Sequence, residues 1–137
     1  MKPASKTALY VMAGIYIFAG IMHFIIPDIY VQIIPDYLEP LGPVLLVYLS
    51  GVAEIACGAG LIFPRTRRLA AWGTIALLLA VFPANIYMAT HNVQITGLPE
   101  WLPQPGPVGR WLRLPFQTAF IWWAWLYTRP GPDTPPR

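Results

Sequence analysis

A chain of 137 residues that is 56% hydrophobic and only 11% charged lacks the polar surface a water-soluble domain of this size carries. Its formal charge of +3 does not make it a nucleic-acid binder, because the basic residues lie beside apolar blocks with no soluble basic domain or aromatic-basic platform to carry them. One cysteine, Cys57, excludes an internal disulfide and a CxxC pair, so redox chemistry would need a partner or a bound cofactor.

The apolar residues gather in four blocks, roughly 8–26, 44–63, 69–90 and 111–127. At about 1.5 Å rise per residue such blocks reach about 25 to 33 Å as helices, the thickness of a hydrocarbon core of about 30 Å. They show no sustained alternation and are about twice the length of a barrel strand. The sequence therefore predicts an all-α, integral membrane four-helix bundle. It is expected to form a single domain over 1–129, followed by a disordered cytoplasmic tail over 130–137 that has four prolines and no apolar periodicity.

In chain order, the first block follows Lys2 and Lys6 and is longer than a usual signal-peptide core, with no small-x-small cleavage site after it. It is read as the first span, with Tyr16, Gly20 and His23 on one face. The connection 27–43 mixes Ile29, Tyr30, Ile33, Ile34 and Tyr37 with Asp28, Gln32, Asp36 and Glu39, the pattern of a short interfacial helix broken at Pro35. The second block sets Ser50, Gly51, Glu54 and Gly58 on one face, and Glu54 falls near the membrane midplane. The RTRR turn at 65–68 is tight, so the second and third spans should be antiparallel neighbours.

In the third block Pro83 frees a carbonyl that Asn85 or Gln117 can satisfy. The connection 92–110 holds Pro99, Pro103, Pro105 and Pro107, cannot be a continuous helix, and is expected to be an ordered cap or a flexible lid. The fourth block, the shortest, places Arg113 and Gln117 on one face and is rich in tryptophan.

Orientation follows from the charges. With the N-terminus inside, Lys2, Lys6, Arg65, Arg67, Arg68, Arg129 and Arg137 lie on the cytoplasmic side and only Arg110 and Arg113 outside, so the positive-inside rule selects N-in and C-in.

Each span carries one polar residue whose burial in hydrocarbon is costly: His23, Glu54, Asn85 and Gln117. Together with Arg113 they define a candidate ligand-binding pocket, narrow, outward-facing and floored by Glu54, with small residues alongside that let helices approach. Asn85 and Gln117 also read as ordinary interhelical hydrogen-bonding residues, each worth about 1 kcal/mol or less. A midplane carboxylate has no such inexpensive structural role. Arg113 either snorkels to headgroups or pairs with Glu54 or an anionic ligand. Trp111, Trp122, Trp123, Trp125 and Tyr127 read first as lipid-facing and interfacial, with cofactor stacking as the alternative; Cys57 reads as a packing residue, and His23, His91 and Glu54 follow no recognised metal spacing.

Four segments, AGIMHFIIPDIY, YLSGVAEIACGAGLIFPRTRRLAAWG, FPANIYMA and LRLPFQTAFIWWAWLYT, resemble the DoxX-like family of small membrane proteins and together cover most of the chain. The resemblance implies a four-helix membrane bundle and, through members linked to quinone-coupled sulfur oxidation and to thiol or oxidative stress, a role beside other proteins. The positions that carry over are His23, Glu54, Asn85, Arg113 and Gln117.

Two functions are expected. One is a protein of the bacterial inner membrane that holds a small lipophilic molecule, or docks a partner, in the outward polar pocket. It is motivated by the absence of a complete nucleophile, metal or redox motif. The other is a membrane subunit of a quinone-linked oxidoreductase, with Glu54 and His23 moving protons and quinone as its cofactor. Expected partners are membrane lipid and a membrane or periplasmic protein or a second copy of the chain, with no nucleic acid.

Overall fold

The computed structural model describes residues 5–91, 93–101 and 106–130, and the all-α architecture is plain in it. The helices are α1 (Lys6–Ile25), α2 (Pro27–Val31), α3 (Pro43–Ile62), α4 (Arg67–Thr90) and α5 (Pro107–Leu126), with a 3-10 helix over Asp36–Leu41 between α2 and α3. Three of them, α1, α3 and α4, are long and apolar enough to cross a membrane. The fourth long helix, α5, is 20 residues long and opens four residues before the fourth apolar block begins at Trp111, with Pro107 at its first turn. Proline costs nothing there, since its missing N–H would have had no intrahelical partner.

Local chemistry sets the ends. The Ser5 hydroxyl accepts from the Ala8 N–H at 3.4 Å and caps α1. Gly42, at φ 84°, turns the chain into α3, whose first residue is again a proline. Where α3 stops, its last carbonyls are taken up by the next turn: Thr66 Oγ1 donates to Gly60 O at 2.7 Å, and Arg67 Nε and Nη2 donate to Leu61 O and Ile62 O at 3.0 and 3.2 Å. The basic turn is therefore also a helix cap, placing positive charge at the negative end of α3.

The connection between α1 and α3 folds as two short helices separated at 32–35, with Pro35 preceding the second, and the α2 residues pack onto α3. Gln32 ties this region to the connection that precedes α5: its Oε1 accepts from Thr96 N at 2.8 Å and its Nε2 donates to Thr96 O at 2.9 Å. Most of the expected tail, 131–137, and residues 102–105 of the second long connection lie outside the described residues.

The long helices pack in sequence, α1 on α3, α3 on α4 and α4 on α5. The first seam is the closest. A Cβ added to Gly20 would stand 2.7 Å from Gly51 O, and one added to Gly58 would stand 2.8 Å from Ala13 O, so only glycine admits this approach of two backbones. By contrast no Cα of α1 comes within 8 Å of one in α5. Among the described residues, contacts made by side chains close that side. Tyr16 and Phe120 meet edge to face at 6.4 Å, and Tyr127 Oη donates to Ser5 O at 3.1 Å. Leu9, Met12, Ala13, Leu61, Ala71 and Ala124, all nearly inaccessible, form the core toward the end of the bundle that carries the basic turn.

Candidate functional site

The five polar residues fall into two pairs and a rim. On the α1–α3 seam His23 Nδ1 lies 2.7 Å from Ala19 O and 3.3 Å from Glu54 Oε2. A carbonyl only accepts, so Nδ1 carries the hydrogen and points between the carbonyl and the carboxyl. Glu54 Oε2 is buried and, among the described residues, makes no hydrogen bond of normal geometry; the imidazole nitrogen 3.3 Å away faces it. Gly51 makes room for this pair: a Cβ there would stand 2.8 Å from His23 Cβ.

The other face of the imidazole is covered by Tyr30 of α2, stacked on it at 3.9 Å and 20°. Burial pushes the Tyr30 hydroxyl above the ordinary phenol range, the Glu54 carboxyl adds to the effect, and Arg113 opposes it. The sequence marked Tyr30 only as an aromatic of the connection; the stacking needs α2 to fold back over the end of α1, which no local pattern shows.

On the α4–α5 seam Asn85 Nδ2 donates to Gln117 Oε1 at 2.6 Å, and Gln117 Nε2 donates to the Leu78 carbonyl. Pro83 takes away the donor for the Leu79 carbonyl in the same turn. The carbonyl that Gln117 reaches is its neighbour, so the amide serves the loosened stretch of α4 one residue earlier than the deletion itself. Gln117 is buried and Asn85 is half-buried.

Arg113, one turn from Gln117, is exposed, whereas Arg110 three residues earlier is 2% exposed. Charge alone does not separate these two arginines; their positions on the α5 face do. Cys57 is half-buried, where a Cβ on Gly73 of α4 would stand 3.1 Å from its Sγ. His91, at the end of α4, stacks on Tyr87 at 4.1 Å. Among the described residues no three of His, Cys, Asp and Glu are grouped so as to hold a metal ion.

Between α1, α4 and α5 lies an open cavity of about 480 Å3. Its wall is apolar, with Tyr16 and Ala19 from α1, Leu78 and Val81 from α4, and Phe116 and Phe120 from α5. Its polar lining is Asn85, Gln117 and Arg113. His23 and Glu54 do not line it, although Ala19, whose carbonyl His23 bonds, does. The cavity follows from packing. Where glycines brought α1 onto α3, the α1–α5 side carries Tyr16, Phe116 and Phe120, which hold the backbones apart without filling the space between them.

Fold and site define a small all-α protein with three helices long and apolar enough to cross a membrane and an apolar cavity beside two interhelical polar pairs. The chain belongs to the family described as a domain of unknown function (DUF8561), which matches residues 12–128. No curated protein and no solved structure matches it.

Proposed function

We propose that this chain is a DoxX-like protein of the bacterial inner membrane that holds a small lipophilic molecule in the cavity between α1, α4 and α5. In this reading α5 is the fourth crossing helix, the N- and C-termini face the cytoplasm, and the α2 end of the bundle faces outward. The charge distribution supports the orientation, and the tryptophans at 111, 122 and 125, all exposed on α5, suit a lipid-facing helix. The DoxX-like kinship rests on the four segments quoted above.

The observation that carries the reading is the cavity itself. Its volume of about 480 Å3 lies within the range of about 300 to 1,000 Å3 typical of small-molecule sites, and such sites combine apolar walls with a few placed polar groups. The quinone-linked oxidoreductase is less well supported. A proton carrier has to reach the reacting atom, and the pair that reading assigns to the work, His23 and Glu54, sits off the cavity wall.

Mass spectrometry of small molecules retained by the gently solubilised chain tests the proposal. A defined lipophile at near one per chain is expected, and it should be lost when Phe120→Trp and Ala19→Leu fill the cavity. Recovery of nothing beyond the bulk lipid mixture, unchanged by those substitutions, would overturn it.

A further inference from the structure

We infer that the occupant of this cavity is a single-chain amphiphile with a carboxylate head, lying along α5 with its head at Arg113 and its tail toward Phe120 and Leu78. The inference rests on the binding reading above and adds the chemical class of the ligand. It comes from how polarity is distributed along the cavity. Measured from the α2 end of the bundle, Gly109 and Arg113 stand about 3 and 9 Å into α5, whereas Phe120 stands about 20 Å in. Leu78 on α4 and Tyr16 on α1 are at comparably deep levels. The cavity is thus charged near one end and apolar at the other, the polarity of an amphiphile.

Two amides line the wall, and they are bonded to each other and to α4: Gln117 gives one N–H to Leu78 O, and its oxygen accepts from Asn85. Both are neutral, so whatever donor or acceptor capacity is left on them brings no counter-charge for an anion. Arg113 is different: it is exposed and lines the cavity. Its planar fork matches the two oxygens of a carboxylate. One guanidinium neutralises a monoanion; a phosphate monoester, with its further charge, calls for a second cation, and among the described residues Arg113 is the one cationic side chain lining the cavity.

The full chain in nanodiscs of zwitterionic lipid is labelled with a diazirine-bearing palmitate. Palmitate, hexadecanol and hexadecyl phosphate then compete at equal membrane mole fraction and at a pH where the acid is ionised. Labelling is expected on α5 around Phe120 and on α4 around Leu78, with palmitate displacing the probe about tenfold better than either competitor. Arg113→Gln should abolish that preference while labelling persists, and Arg113→Lys should keep part of it. Labelling of the cavity with hexadecanol or hexadecyl phosphate competing as well as palmitate overturns the carboxylate assignment and leaves the binding reading intact. So does a preference that survives Arg113→Gln. A cavity that no probe labels overturns both.

Discussion

The two sides of α1 are built on opposite rules. Toward α3 it presents Gly20 against Gly51, and the backbones close to the point where no further atom fits. Toward α5 it presents Ile15, Tyr16 and Ala19, and no backbone approach follows. Helix association in lipid lacks a hydrophobic drive, so close packing of small residues has to hold helices together where it occurs. The contrast teaches that one helix can be both a structural strut and the wall of a site, with the division falling between adjacent residues 19 and 20.

Substitutions on the two sides should separate these roles. Gly20→Val places atoms against Gly51 O and Ile55 and is expected to cost about 3 kcal/mol or more, read as a shift of the unfolding transition in mixed micelles. Gln117→Leu leaves the Leu78 carbonyl and the Asn85 amide without their partner on the α4–α5 seam. It should cost about 1 to 2 kcal/mol, with a coupling of about 0.6 kcal/mol to Asn85→Ala in a double-mutant cycle. Tyr127→Phe removes the donor to Ser5 O, one of the few bonds closing the α1–α5 side, and should cost about 0.5 to 1 kcal/mol by the same measurement. Ala19→Leu, next to Gly20, should cost less than about 0.5 kcal/mol, because its added atoms enter open space, while retention of the bound lipophile falls. A cost at Ala19 equal to that at Gly20 would erase the contrast.

Much of this was legible in the sequence, and the reasons differ by residue. The helices α1, α3 and α4 begin and end within two residues of the apolar blocks, because composition, proline and serine mark those ends directly. The start of α5 is less legible: Pro107 stands among other prolines in a stretch whose composition is that of a loop, although proline suits a first helical turn. His23, Glu54, Asn85 and Gln117 stood out as polar residues in apolar runs, but spacing along one helix cannot say which partner each finds on another. The structure places His23 with Glu54 and Asn85 with Gln117, and it brings only the second pair, with Arg113, to the cavity wall. The cavity had no signal of its own, since Ile15, Leu78 and Phe120 are apolar residues in apolar helices. A void is a property of how side chains from three helices fail to fill a space, and a single chain pattern does not encode it.

The most direct test of the account compares the two faces of α5. A photoreactive benzophenone amino acid in place of Phe120, on the cavity wall, is activated in native membranes beside one in place of Trp122, which is exposed on the same helix. The account predicts one discrete lipophilic adduct from position 120 and a mixture mirroring the bulk lipids from position 122. The same bulk mixture from both positions would contradict it.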